Sequence, residues 1–183
     1  MHYRTATPSD IPALLKLYKA VAKIEGYIAR LEHEVTEEYI SSFVHKSLDT
    51  GLIIVGEEES NPGELIAEIH GYTLGIDIFN HVMGDVTFLV HPDHQGKKIG
   101  RTLIMIFLDE IVNNRPDIGK VELFTGESNR RAIALYQSVG FMIEGRMEMR
   151  YRTPAGNYEA DIPMGWINPG FEFDGTIPRL NRD

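Results

Sequence analysis

The chain has no cysteine among its 183 residues, so no disulfide can brace it and no thiol can serve as a catalytic nucleophile. That composition fits a reducing compartment. It also lacks long apolar runs: the longest, Leu103 to Leu108, falls far short of a bilayer span, and the amino terminus has no basic-then-apolar leader pattern. These absences predict a cytoplasmic protein with no membrane partner. Basic residues are scarce, 18 against 27 acidic, giving a net charge of -9 and a pI near 5.2. A general nucleic-acid binder needs a basic stripe to replace counterions, so nucleic acid is excluded as the expected partner. No repeat, low-complexity tract or second core is visible.

What is present describes a globular protein: 43% hydrophobic and 25% charged residues, at a length that suits one domain. We assign residues 1–167 to that domain and residues 168–183 to an irregular tail, since Pro169, Gly170, Gly175 and Pro178 break any periodicity. A strand at His2 to Ala6 precedes Thr7-Pro8-Ser9-Asp10, which reads as a helix entry with Thr7 as cap and Asp10 reaching back. Ile11, Leu14, Leu15, Tyr18 and Ala22 share one face of the helix that follows. Thr36 caps a second helix, with Glu37 and Glu38 in its first turn and Ile40, Phe43 and Val44 facing inward. Strands are expected at Leu52 to Val55 and Glu64 to Leu74, around an acidic Asn-Pro-Gly turn with a mobile tip. Later strands fall at Asp85 to Val90, Val121 to Thr125, Glu144 to Arg152 and Tyr158 to Ile167, the last two joined through Pro154 to Asn157.

Residues Val90 to Arg101, VHPDHQGKKIGR, join a strand to a long amphipathic helix carrying Ile99, Leu103, Ile106, Phe107 and Ile111. Unpaired amides at a helix start, backed by the helix dipole, attract an anion, and Gly96 and Gly100 allow close main-chain approach. Lys97, Lys98 and Arg101 add positive charge there, as do Arg130 and Arg131 beside the next predicted helix. A plain strand-to-helix connection with solvated cations reads the same residues equally simply. The second unit, ESNRRAIALYQSVGF at Glu127 to Phe141, places Ala132, Leu135, Tyr136 and Val139 on one stripe and closes at Gly140.

Together these two units resemble the GCN5-related N-acetyltransferase (GNAT) superfamily. The first is similar to its acetyl-CoA pyrophosphate loop, Q/R-x-x-G-x-G/A, and the second to its N-x-x-A-x-x-x-Y-x-x-x-G-F segment. The segment FMIEGRMEMRYRTPAGNYEADIPMGW is similar, less specifically, to the last strands of members that acetylate small amines and amino acids. The resemblance implies an α/β fold (α+β in some schemes), with a mixed six- to seven-stranded sheet, about four flanking helices and two splayed central parallel strands. It implies acetyl-CoA as donor, no metal, an amine of a small molecule or peptide as acceptor, and a possible homodimer. Lys98 departs from the loop pattern by standing where its first glycine stands. We expect Lys98 to be tolerated in helical geometry rather than forced to a positive backbone angle.

By this resemblance, amides of Gln95, Gly96, Lys97, Lys98, Ile99, Gly100 and Arg101 hold the pyrophosphate, while Leu89 and Val90 pair with the pantetheine arm. A Leu89 or Val90 amide would face the thioester carbonyl. Tyr136 would protonate the departing thiolate, although a core-packed tyrosine is its bland reading. Asn129 either caps its helix or contacts pantetheine, or does both. Ala132 lies beside it, and one of Arg130 and Arg131, with Arg131 preferred, meets a CoA phosphate or is a plain surface arginine. Asp85 and Glu68 are the candidate bases; their alternatives are a strand-start turn residue and a surface-facing strand residue. His91, Asp93 and His94 lack a fourth ligand, which favours a polar turn over a metal site. Glu25, Glu32, Glu34, Glu37 and Glu38 suit a cationic acceptor or a solvated helix face equally. Two rivals remain: a CoA-binding sensor without turnover, and an ATP-binding domain, which lacks the G-x-x-x-x-G-K-[ST] spacing.

Overall fold

Asp10 ties the first strand to the first helix in the computed structural model, which describes residues 1–24, 26–153, 155–172 and 175. Glu25, Pro154 and Pro178, used in the sequence reading, lie outside these described residues. β1 (His2–Thr5) enters a 3-10 turn at Pro8–Asp10, and α1 (Ile11–Ala22) follows. The Asp10 Oδ2 accepts from the Thr7 amide at 2.7 Å and the Thr7 hydroxyl at 3.1 Å, satisfying a donor that the helix start leaves free. Arg4 donates both terminal nitrogens to the same carboxylate at 2.8 and 2.7 Å. This bidentate bond, reinforced by Thr7, holds the Asp10 carboxyl below the usual carboxylate range. A depressed folded pKa gives stability that is complete above the ordinary value of 3.8 and is lost as pH falls through the folded value. Asp10→Asn should therefore be less stable than wild type near neutrality, with the gap closing in acid. Thermal melts from about pH 7 to about pH 3 check this; parallel curves would rule out the linkage.

α2 (Glu37–Thr50) is capped by the Thr36 hydroxyl, which accepts from the Tyr39 amide at 3.2 Å. There follow β2 (Gly51–Glu57), β3 (Leu65–Thr73), β4 (Val82–Val90), α3 (Ile99–Asn114), β5 (Lys120–Gly126), α4 (Arg130–Ser138), β6 (Met142–Ile143), β7 (Met147–Arg152) and β8 (Tyr158–Ile167). The sheet runs β1-β2-β3-β4-β5-β8-β6, with β7 also on β8, and only β4 and β5 pair in parallel. It has eight strands where the resemblance implied six to seven, because Met142–Ile143 adds a short strand ahead of the one expected at Glu144 to Arg152, which itself starts only at Met147. Met142 and Ile143 pair with Gly165 and Met164, whereas Met147 starts a separate pairing with Asp161 that slips before Tyr151. Met149 sits in the slip with φ +52°.

Side chains from the two sheet faces form two cores. α3 and α4 cover one, built on Ile69, Met83, Val90, Leu103, Ile104, Phe107, Ile111 and Val121. α1 and α2 cover the other, built on Leu14, Leu17, Tyr18, Val21, Ile40, Phe43, Val44, Ile53 and Leu89. The buried face of α1 is rotated from the expected one, with Leu17 and Val21 inside and Ile11, Leu15 and Ala22 at its margins. At the β2–β3 turn, the buried Glu57 accepts from the Gly63 amide at 2.8 Å, so the loop expected to be mobile is fastened at its base. The segment after Ile167 begins docked. The buried Asn168 donates to the Ile118 carbonyl at 2.7 Å, and the Phe171 ring covers Gly119. Among the described residues no helix is long and apolar enough to cross a membrane.

Candidate active site

β4 and β5 stay paired only at Val82–Lys120 and Met83–Val121, and beyond that register they separate. The cause lies on the other edge of β4, where the ladder to β3 skips between His70 and Tyr72, so that Gly71 faces both Asp85 and Val86. Asp85 takes φ +49° to make this bulge, an uncommon conformation for a non-glycine residue. Gly71 is required by contact: a Cβ there would lie 2.8 Å from a Val86 methyl and 3.1 Å from Met83 Cγ.

Hydrogen-bond parity shows which amides the wedge receives. The His91 amide donates to the Ile66 carbonyl at 2.7 Å, so Leu89, two residues earlier and opposite Glu68, also turns its amide toward β3. The amides of Phe88 and Val90 then face the opening between β4 and β5. Leu89 therefore cannot supply the expected donor; Phe88, overlooked in the sequence, joins Val90. The Leu89 side chain packs beneath α1 and α2 instead.

After a 3-10 turn at Pro92–His94, the amides of Gly96 through Arg101 have no hydrogen-bond acceptor among the described residues. The first amide to find one is Thr102, which donates to the Lys98 carbonyl at 3.1 Å. Gly100 lets the loop close on the strand, since a Cβ would fall 2.6 Å from the Phe88 ring tip. Lys98 is the N-terminal cap of α3 at φ +63°, correcting the expectation of helical geometry. The chain must reverse there to aim its amides outward, and lysine bears the steric cost that the family's glycine avoids. Lys98→Gly should raise stability by about 0.5–1 kcal/mol after the larger chain entropy of glycine is allowed for, or about 2 °C in melting temperature. A lower melting temperature would mean that the lysine side chain itself secures the loop.

The cations divide by partner. Lys97 and Lys98 are exposed. Arg101 donates to the Ser138 hydroxyl at 2.6 Å, binding α3 to the end of α4 rather than pointing freely into the loop. Arg131 reaches Gln95 Oε1 at 3.4 Å, bringing the second unit against the first. The Asn129 side chain accepts from the Ala132 amide at 3.1 Å, so it does cap α4. The His91 ring accepts from the Asp93 amide at 3.3 Å, and His94 Nδ1 lies 3.3 Å from Glu58 Oε1 without a hydrogen bond. No cluster of three or more potential metal ligands occurs among the described residues.

Tyr136 is the one buried side chain of α4, edge-on to Phe88 at 6.4 Å and tilted against Phe141 at 5.8 Å. Its hydroxyl has no hydrogen-bond partner among the described residues, and burial pushes its pKa up, keeping the proton on. Across the sheet, Glu68 is neither surface-facing nor open to the wedge: it is 0% exposed, accepting from the Tyr18 hydroxyl at 2.7 Å and meeting His70 Nδ1 at 2.9 Å. Helices α1 and α2 lie over this face of β3 and enclose it. Asp85 is exposed beside Tyr72, whose phenol is pushed up by burial and by the neighbouring Asp85 carboxylate. His70 stacks on Phe43 at 4.1 Å, Tyr39 packs against Phe43 and Tyr18, and Arg30 lies 4.6 Å over the Tyr39 ring. This aromatic wall was missed in the sequence. Its one legible trace is the alternation Glu68, His70, Tyr72, polar or aromatic on one face of a strand whose other face is Ala67 and Ile69.

Residues 15–141 match the profile described as Acetyltransferase (GNAT) family. The L-amino acid N-acyltransferase MnaT of Escherichia coli (strain K12) is 27% identical over 154 residues, spanning 80% of this chain and 83% of that protein. Spermidine N(1)-acetyltransferase of Vibrio cholerae is 28% identical over 116 residues, 61% of this chain and 60% of its own. In fold, the chain is similar to yncA from Salmonella typhimurium, solved with its cofactor acetyl-CoA, at TM-score 0.80 and 21% identity over 98% of both chains. The wedge, the row of free amides and the profile match over more than half its length converge, and the chain belongs to the GNAT acetyltransferase family.

Proposed function

We propose that the protein is an N-acetyltransferase that moves acetyl from acetyl-CoA to a primary amine of a small molecule or amino acid, by direct attack within a ternary complex. One observation carries this reading: six consecutive amides, Gly96 through Arg101, stand free at the start of a 16-residue helix, beside a sheet opening that offers two more. Such a row is an anion cradle of the kind a diphosphate fills. The cationic side chains of Lys97, Lys98 and Arg131 supplement it, and the edge of β4 at Phe88 and Val90 suits an amide-bearing chain laid down as an extra strand.

Acetyl-CoA supplies a thioester carbonyl open to attack and a sulfur able to leave. The Phe88 or Val90 amide stabilises the negative charge that develops on the carbonyl oxygen; one such preorganised donor contributes about 3 kcal/mol. Tyr136, protonated and adjoining Phe88 on the α4 side, gives its proton to the departing sulfur. Asp85, exposed at the bulge, draws the acceptor ammonium to the mouth of the opening. Likeness to an L-amino acid N-acyltransferase and a spermidine acetyltransferase supports an amine acceptor.

Calorimetry with acetyl-CoA and with ATP, followed by free-thiol release against a panel of L-amino acids and polyamines, tests the proposal. Saturable acetyl-CoA binding and amine-dependent thiol release are expected. Binding without release across the panel would leave a CoA sensor, and preference for ATP would discard the reading.

A further inference from the structure

From the buried pair on β3 we infer that His70 takes the proton from the acceptor ammonium, with Glu68 as the positioning residue that orients it; this rests on the proposed acetyltransferase reading. His70 is opposite Thr87, immediately before the Phe88 amide that faces the wedge. Its ring thus lies on the α1 and α2 face, 2% exposed and one strand from the wedge, while Tyr136 lies on the face covered by α3 and α4. The sheet separates the two proton-handling groups, as an amine entering from one side and a sulfur leaving toward the other require.

The surroundings of the ring assign its protons. Glu68 accepts from the Tyr18 hydroxyl at 2.7 Å, and its other oxygen meets His70 Nδ1 at 2.9 Å, so Nδ1 carries hydrogen and donates it. The lone pair is left on Nε2, which has no hydrogen-bond partner among the described residues. Stacking on Phe43 at 4.1 Å, with Tyr72 parallel on the same strand at 6.2 Å, fixes the ring plane. The groups facing His70 are Glu68 and Tyr72 on its own strand, Tyr18 from α1, Phe43 and Tyr39 from α2, and Thr87 from β4; Lys46, Arg30 and Asp85 surround the outer edge at Tyr72 and Tyr39.

The step balances. The ammonium N–H bond breaks, its proton bonds to Nε2, and the freed nitrogen pair attacks the thioester carbon. The C–S pair leaves on sulfur, which takes the Tyr136 proton. The second proton lost by nitrogen and the one held by His70 pass to solvent, which returns one proton to Tyr136.

The test compares wild type, His70→Gln, Glu68→Gln and Asp85→Asn across about pH 6 to about pH 10, using the amine that wild type acetylates fastest in the panel. A wild type that turns over no amine overturns the acetyltransferase reading itself, before any variant is compared. With turnover established, His70→Gln should lose about 100-fold in kcat/KM near neutrality and converge on wild type within a few-fold where the amine is already unprotonated. A structural role gives a ratio that does not change with pH, and that result overturns the inference. So does the converging loss appearing in Asp85→Asn instead. Imidazole nitrogen NMR of the free protein is the readout independent of turnover: His70 should show hydrogen on Nδ1 in wild type, with a mixed tautomer in Glu68→Gln. An Nε2-protonated wild-type ring refutes the assignment, and Tyr18→Phe offers a milder perturbation if Glu68→Gln fails to fold.

Discussion

Tyr136→Phe should reduce turnover by about 100-fold or more, equivalent to about 2.7 kcal/mol of transition-state stabilisation, while leaving acetyl-CoA affinity within about twofold. The substitution keeps the ring edge that meets Phe88 and the tilt against Phe141, so α4 and the wedge retain their packing. It removes only the hydroxyl. Because that hydroxyl makes no hydrogen bond among the described residues, its loss should change stability little, unlike the loss of a hydrogen-bonded phenol. Stability and turnover should therefore move independently. Free-thiol release, calorimetric affinity and a thermal melt on the same preparation check all three expectations. Full turnover in the variant would reduce Tyr136 to a core tyrosine; an equal fall in affinity would make it a binding group.

Gly71→Val separates two rules that disagree in sign. Strand propensity alone favours valine over glycine by up to about 1 kcal/mol, since glycine pays more chain entropy and packs nothing. The bulge predicts the reverse. Even the first added carbon meets Val86 at 2.8 Å, Met83 at 3.1 Å and the Gly84 carbonyl at 3.3 Å, and valine adds two methyl groups beyond it. Overpacking of this kind costs about 3 kcal/mol, so the steric cost should prevail by about 2 kcal/mol. The same displacement moves Asp85 and the start of the strand separation, so kcat/KM should fall even at temperatures where the variant remains folded. Urea unfolding and assays well below the transition test both parts. A variant as stable and active as wild type would show that the bulge gives way easily and does not set the site.

The loop and the α4 motif were legible because both are local. Gln95-Gly96, Gly100, Asn129, Tyr136 and Gly140-Phe141 occur at spacings dictated by one turn and one helix, and the helix caps at Thr7 and Thr36 depend on neighbours within three residues. Strand ends within the β6–β7 region were not, since the slip between Met147 and Tyr151 is defined only by what β8 offers opposite. Lys98 shows the boundary sharply: its identity was plain, but whether it had to adopt a left-handed angle depended on the direction in which β4 delivers the chain to α3.

Composition and local pattern by themselves determined a cysteine-free α/β chain with a glycine-bearing loop at a helix start and a tyrosine on an inward stripe, because those properties need no distant partner. Only the tertiary structure decided that Leu89 turns its amide away and Phe88 presents one, that Glu68 is enclosed, and that His70 is buried against it. Each of these follows from pairing parity or from burial under α1 and α2. Both depend on residues remote in the chain, and a one-residue change in register would reverse which groups the cleft receives.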